Sequence, residues 1–150
     1  MTSTATLTVN VRDIDDQNPE FLIDSCRENP NLEVCPGPGE SPKYRSSVMS
    51  GRVEGVLSIT PDRIFAKDKD SLDAAVTYTF IDGSPLSYLQ YFSLDSKTGT
   101  VTQIKPVVSE VTHNFNITIK VRVVIYLFKV NWMWSTFYAY VKYFQTTQYD

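Results

Sequence analysis

The chain has 150 residues, a formal net charge of −3 and scattered Lys and Arg residues. This argues against a nucleic-acid partner, because surfaces that bind phosphates cluster their basic residues. The length allows one core of about 100 residues plus a linker and a tail, burying roughly two-thirds of the unfolded surface. Residues 1–5 lack the basic flank and apolar core of a secretory signal, so we expect a fragment of a longer protein.

A predicted strand and an acidic cluster open the chain. Residues 5–11 alternate apolar and polar side chains, which is the period-two pattern of a half-buried strand. Three acids, Asp13, Asp15 and Asp16, follow within four residues. Ca²⁺ takes about six to eight oxygen ligands, and one linear run of acids rarely surrounds an ion, so further carboxylates must come from elsewhere. A second acidic segment, residues 68–70, has the ligand chemistry for this role.

The only two cysteines, Cys26 and Cys35, bracket a short polar segment. This spacing favours a local disulfide, which in an oxidising compartment would stabilise the fold by roughly 2–3 kcal/mol. Two free thiols are the alternative. A zinc site is disfavoured, because two cysteines and the distant His113 do not supply a compact set of four ligands. Pro and Gly then dominate residues 36–42, which predicts a surface loop.

Short runs with a strand pattern continue after this loop. Turn-forming residues such as Asp82-Gly83 and Thr98-Gly99 separate them, and no stretch shows sustained helical spacing. The predicted strands are residues 56–59, 64–66, 76–81, 91–94, 100–104 and 115–123. The pattern favours an all-β, immunoglobulin-like Greek-key sandwich of two antiparallel sheets.

The character of the sequence changes beyond Val123, where aromatic residues become frequent. Residues 121–141 are long enough for a membrane span, but Arg122 and Lys129 interrupt the apolar run. The alternation of apolar and polar side chains over residues 137–143 suggests a substitute final strand instead. An altered transcript or an error in the gene model would also explain the abrupt change.

Four motifs then support a family resemblance. The segment Asp13-Ile14-Asp15-Asp16-Gln17-Asn18-Pro19-Glu20-Phe21 resembles the linker between tandem cadherin repeats, D-x-N-D-N-x-P-x-F, with Asp15 and Gln17 at the two Asn positions. Val53-Glu54-Gly55 resembles the early Glu motif, Ala66 to Asp70 the A-x-D-x-D motif, and Tyr91 to Val101 the YFxLDxxTGxV motif. The chain is therefore identified as a member of the cadherin superfamily over residues 4–121. Its expected division is 1–18 (last strand of a preceding repeat and calcium linker), 19–123 (cadherin-like repeat) and 124–150 (divergent tail).

The resemblance implies that calcium ions are shared between the linker and the following repeat. The implied ligands are the carboxylates of Asp15, Asp16, Asp68 and Asp70 and the backbone carbonyls of Ile14 and Gln17. Glu54 matches a residue that serves a following linker, which this sequence lacks, so its assignment as a ligand stays open.

Two departures from the family pattern concern the acids. The L-D-R-E motif should fall near Lys105 to Val108, which contains no acid, and Val123 stands where a calcium-binding Asp belongs. One calcium ligand shell therefore lacks a carboxylate. Other acidic ligands of the same linker would come from the preceding repeat. We expect weak or partial calcium binding by the isolated chain.

The resemblance implies calcium-dependent cell–cell adhesion by a membrane-anchored rod, on the extracellular side of the plasma membrane. The implied partners are other cadherin-family ectodomains, in homophilic or heterophilic contact. The Cys26–Cys35 insertion further resembles the third repeat of a brush-border protocadherin, which implies a role in linking microvilli. The alternative is an immunoglobulin-like module that binds protein without calcium.

Two remaining features concern modification and catalysis. Asn116-Ile117-Thr118 is a sequon for N-glycosylation if the chain is secreted. No nucleophile elbow, phosphate-binding loop or HExxH motif appears, and His113 has no evident catalytic partner. An enzyme is therefore not expected.

Overall fold

The computed structural model describes residues 8–9, 18–69, 74–108, 114–124 and 130–142, and for residues 124 and 130–142 it describes the backbone alone. Its elements are short except for two long strands near the C-terminus. In chain order they are β1 (Glu20–Phe21), α1 (Asp24–Glu28), β2 (Lys43–Met49), β3 (Ala66–Lys67), β4 (Val76–Ser84), α2 (Tyr88–Tyr91), β5 (Phe92–Leu94), β6 (Val101–Gln103), β7 (Asn114–Val124) and β8 (Val130–Lys142).

Strand β7 lies inside a four-stranded sheet whose order is β2-β8-β7-β4. It pairs antiparallel with β4 and β8, whereas β2 and β8 run parallel. Every second side chain from Phe115 to Val123 is fully buried, and the residues between them are exposed or half-buried. This alternation forms the strand and fixes which face of the sheet meets the core, because successive side chains of a strand point to opposite faces.

A second layer packs against this sheet. It consists of the antiparallel pairs β1–β3 and β5–β6, and the Leu57 N–H extends β5–β6 by donating to the Val101 carbonyl at 2.9 Å. Aromatic rings of the two layers meet in the core, where the ring centroids of Phe92 in β5 and Phe115 in β7 are 5.1 Å apart. The two layers form the predicted immunoglobulin-like β-sandwich, although the β2–β8 pair is parallel where antiparallel sheets were predicted.

Two buried tyrosines connect the layers by hydrogen bonds. The Ala66 N–H of β3 donates to the Tyr78 hydroxyl of β4 at 2.8 Å, and the Tyr44 hydroxyl of β2 donates to the Leu22 carbonyl at 3.3 Å. Burial raises the pKa of both hydroxyls, so they stay neutral at physiological pH. These bonds satisfy polar groups that an apolar interface would otherwise leave without partners.

Five of the predicted strands correspond to β3, β4, β5, β6 and β7 with small shifts at their ends. The prediction of a strand over residues 56–59 was wrong, because the segment makes an isolated bridge between Val56 and Thr102 and the Leu57 hydrogen bond to Val101 but no continuous strand. Strand β2 was not predicted. The predicted strand at residues 5–11 lies largely outside the described residues.

The tail contributes a strand to the sandwich. Strand β8 inserts between β2 and β7 and pairs with β7 along all of that strand, from Asn114 opposite Tyr140 to Val124 opposite Val130. Among the residues that the structure describes, no helix is long and apolar enough to cross a membrane.

Candidate metal centre

Strands β1 and β3 bring Asp68 to the end of the sandwich where the linker joins. Their antiparallel register pairs Glu20 with Lys67 and Phe21 with Ala66. Continuing this register by one residue sets Asp68 opposite Pro19, the buried proline of the linker motif. The A-x-D-x-D motif therefore begins beside the linker, as the resemblance implies.

The Asp68 side chain is buried, with 3% of its surface exposed. The Ala74 N–H donates to its Oδ2 at 3.1 Å. A buried carboxylate is costly unless it is hydrogen-bonded or paired with a cation, so the fold holds a hard oxygen ligand in place at this end of the repeat. That chemistry fits Ca²⁺, which is bound by carboxylate oxygens.

An ion pair flanks Asp68 on the surface. Lys69 Nζ lies 3.0 Å from Glu20 Oε2, and both side chains are close to half-exposed. A pair this exposed contributes at most about 1 kcal/mol. It nevertheless connects the residue after Asp68 to the residue after Pro19, and so reinforces the register of β1 and β3.

Val123 lies at the same end of the sandwich. It pairs with Val76, the first residue of β4, and the Ala74 N–H two residues earlier is bonded to Asp68. The Val123 side chain is fully buried. A hydrocarbon side chain supplies no ligand, so the position at which the family has a calcium-binding Asp instead fills the core.

Glu54 lies at the opposite end. Strand β2 starts at the linker end, where Tyr44 contacts Phe21 at 6.2 Å between ring centroids, and its last residue, Met49, precedes the turn that leads to Glu54. Met49 is five positions beyond Tyr44 along the strand, which corresponds to roughly 17 Å. Glu54 is exposed and does not join Asp68 in one ligand shell.

A buried glutamine organises this distal end, and the sequence reasoning missed it. Gln103 is 1% exposed. Its Oε1 accepts the Glu54 N–H at 2.8 Å, and its Nε2 donates to the carbonyls of Arg52 and Lys105 at 2.9 Å each. Gln103 thus joins the early Glu motif to the segment where L-D-R-E would stand. A polar residue at an inward strand position, between Val101 and the turn, is the signal that could have identified it.

The other predicted ligands, Ile14, Asp15, Asp16, Gln17 and Asp70, lie outside the described residues. Within the part of the chain that the structure does describe, no group of three or more His, Cys, Asp or Glu residues could hold a metal ion. Asp68 is therefore the one predicted linker-end ligand whose surroundings are described, and the complete ligand set stays a prediction.

The T-G motif has a structural role in this fold. The Lys97 and Thr98 N–H groups donate to Asp95 Oδ1 at 2.8 and 2.9 Å, and the Gly99 N–H donates to the Asp95 carbonyl at 3.0 Å. The hydrogen bonds from Thr98 and Lys97 lower the pKa of Asp95, which is fully exposed. The aspartate of this motif therefore closes the turn between β5 and β6.

The predicted disulfide is confirmed. Cys26 of α1 is bonded to Cys35, with 5.6 Å between their Cα atoms. The helix is also attached to the sandwich, because Ser25 donates both its N–H and its hydroxyl to Asp62 Oδ2 at 2.9 Å. The disulfide loop is thus fixed beside β2 at the linker half of the repeat.

Sequence relatives and solved structures agree with this architecture. The chain is 35% identical over 120 residues to Cadherin-99C of Drosophila melanogaster, which covers 80% of this chain and 7% of that protein. It is 33% identical over 128 residues to Protocadherin-15 of Gallus gallus, covering 79% of this chain and 6% of that protein. The solved structure of mouse Cadherin-23 EC22-24 matches with a TM-score of 0.60 and 20% identity, over 89% of this chain and 33% of that chain. No family model matches the chain.

The sandwich with an acid at its linker end is the architecture of a cadherin-type repeat, and the chain belongs to the cadherin superfamily. The narrower resemblance, to the third repeat of mucin-like protocadherin, stays a prediction, since the comparisons support the superfamily and not a repeat number. The chain spans less than a tenth of the length of these two sequence relatives.

Proposed function

We propose that the chain serves calcium-dependent cell–cell adhesion as one extracellular repeat of a membrane-anchored rod. Asp68 carries this proposal, because it is a buried carboxylate at the end of the repeat where the acidic linker joins. The partners are other cadherin-family ectodomains, in homophilic or heterophilic contact. The rod stands on the extracellular side of the plasma membrane.

The role of calcium follows from the charges around the linker. In this proposal Asp15, Asp16, Asp68 and Asp70 would bring four carboxylates to one junction, and nearby like charges repel each other. A Ca²⁺ ion held by these carboxylates would offset this repulsion and join linker to repeat, and the Ile14 and Gln17 carbonyls would supply further oxygen ligands. Without the ion the four acids push the linker away from the repeat, and the angle between neighbouring repeats is no longer fixed.

A second candidate is a calcium-independent module that binds protein through its loops. The burial of Val123 favours it, because the position of a family ligand is occupied by a core side chain. The absence of acids from Lys105 to Val108 points in the same direction. Dependence on calcium separates the two candidates.

The deciding experiment compares the melting temperature of the disulfide-bonded chain in millimolar Ca²⁺ and in chelator. A ligand that binds only the folded state raises the melting temperature. We expect a rise for the parent chain that is lost in Asp68→Asn, a variant that keeps an acceptor for the Ala74 N–H and removes the charge.

Asp62→Asn is the matched control, because Asp62 also accepts a backbone hydrogen bond, from the Ser25 N–H, but holds α1 instead of lying at the linker end. It should keep the calcium-dependent rise. If the parent shows no rise, alone or joined to its preceding repeat, the calcium-independent module is the better description. An equal rise in parent and Asp68→Asn would remove Asp68 from the ligand set.

A further inference from the structure

Strand β7 contains a modification motif that has no role in calcium binding or adhesion. Its residues Asn116-Ile117-Thr118 form a sequon. Ile117 is fully buried, whereas Asn116 is exposed and Thr118 is half-buried. The Asn amide and the Thr hydroxyl therefore lie on the same outward face of the sheet, since residues two apart in a strand share a face.

The neighbours on the β4 side of this face leave room for a bulky substituent. On β4, Ser84 pairs with Asn116 and Asp82 pairs with Thr118, and both are exposed. All the apolar side chains of β7 from Phe115 to Val123 point the other way, into the core. A group attached to Asn116 would extend into solvent without displacing a core residue.

We propose that Asn116 is an N-glycosylation site whose glycan covers the outward face of the β4–β7 part of the sheet. In the transfer, Asn116 Nδ2 forms a bond to the anomeric carbon of an oligosaccharide carried on a lipid pyrophosphate. The bond from that carbon to the pyrophosphate oxygen breaks, the lipid pyrophosphate leaves, and the amide proton passes to a base of the transferase. The transferase acts on the N-x-[ST] sequence while the chain is extended. The folded strand β7 therefore only has to accommodate the attached oligosaccharide.

The glycan assigns a role to this face of the sandwich. A hydrated oligosaccharide on the inner strand β7 keeps another protein from packing flat against β4 and β7. The outward residues of β4 and β7 that would lie beneath it are polar: Thr77, Thr79, Asp82, Ser84, Asn116, Thr118, Lys120 and Arg122. Adhesive contacts are therefore left to the other layer, the loops and the sheet edges.

The test uses the full 150-residue chain secreted from animal cells behind an added signal sequence. We expect a glycosylated product in which enzymatic deglycosylation converts Asn116 to Asp, as read by peptide mass spectrometry. The glycoform should disappear in Asn116→Gln and Thr118→Ala and persist in Thr118→Ser. Asn114→Gln is the matched control, because Asn114 is exposed on the same face of the same strand but is not in a sequon.

The disulfide provides a control for an experiment in which no glycan is found on Asn116. The inference shares with the proposed function only passage through the secretory pathway, and oxidation of Cys26 and Cys35 reports that passage independently. Secreted, oxidised chain without sugar on Asn116 would overturn the glycan proposal and leave the calcium proposal intact. A glycan that an endoglycosidase removes only after denaturation would contradict its outward placement.

Discussion

The turn between β5 and β6 passes through Gly99, whose φ is +74°. A side chain at this position meets two separate obstacles. Left-handed backbone is unfavourable for residues with a Cβ. A Cβ built on Gly99 would also lie 2.8 Å from the Ile64 carbonyl oxygen, and that atom belongs to rigid backbone. The T-G motif therefore sets how closely the turn approaches the segment that leads into β3.

Gly99→Ala should lower the free energy of unfolding by roughly 2–4 kcal/mol, because the strain of positive φ and the contact with Ile64 add. Gly39→Ala separates the two effects. Gly39 has a φ of +79° with no atom within 4 Å of the built Cβ, so its loss should be only about 1 kcal/mol. Urea denaturation of both variants measures the difference, and equal losses would show that the Ile64 contact costs nothing.

Among the elements, α1 is too short to be stable alone and depends on two attachments. One is the hydrogen-bonded contact of Ser25 with Asp62, and the other is the Cys26–Cys35 bond, which closes a loop with a sequence separation of 9. Helices shorter than about 12 residues are marginal in water. The attachment to Asp62 fixes the start of the loop, whereas the disulfide limits the freedom of its end.

Replacing both cysteines by serine should lower the free energy of unfolding by roughly 2–3 kcal/mol, since a loop of this size gains that much from cross-linking the unfolded state. Urea denaturation of the oxidised parent and the double variant gives the value. The parent in a reducing agent is the internal control and should match the double variant. A double variant as stable as the oxidised parent would mean that the disulfide serves only to shape the surface loop.

How well each element could be predicted depends on how its side chains alternate. Strand β7 was predictable, because apolar residues fill every inward position. Strand β2 was not predictable, because its central inward residue is the polar Ser46. The Ser46 hydroxyl donates a hydrogen bond to the Ser58 carbonyl at 2.8 Å, which allows it to be buried. Residues 56–59 misled the prediction, because Leu57 is buried and Val56 is 68% exposed, as in a strand, yet the segment forms only an isolated bridge with Thr102.

The candidate metal site also has a part that could be predicted from the sequence and a part that could not. The resemblance of Ala66 to Asp70 to the A-x-D-x-D motif implied Asp68 as a ligand, and its carboxylate is a group that Ca²⁺ binds. Its position beside Pro19 depends on pairing between β1 and β3, which are distant in sequence and only two residues long. Such long-range register is set by the whole core, with Phe21 and Ala66 both buried in it, and a local sequence pattern does not contain it.

At the scale of the whole molecule, the repeat has two chemically different ends. The linker end holds Asp68 next to the start of β4 and the end of β7. The distal end is organised by Gln103, which joins the backbone at Glu54 to the backbone at Lys105. Neutral hydrogen bonds therefore hold the distal end, while the linker end contains a buried charge. The linker end is therefore expected to respond to a cation.

Val123→Asp tests this difference, because it returns a carboxylate to the position where the family has one. In chelator the variant should lose roughly 3–5 kcal/mol, since its charge is buried without a partner. In Ca²⁺ it should recover part of that loss, with a larger calcium-dependent rise in melting temperature than the parent. Val121→Asp is the matched control: Val121 is equally buried on the same face of β7 but pairs with Tyr78, farther from the strand end. It should be destabilised in both conditions without recovery. Equal calcium responses of the two variants would show that position 123 is not part of a calcium shell.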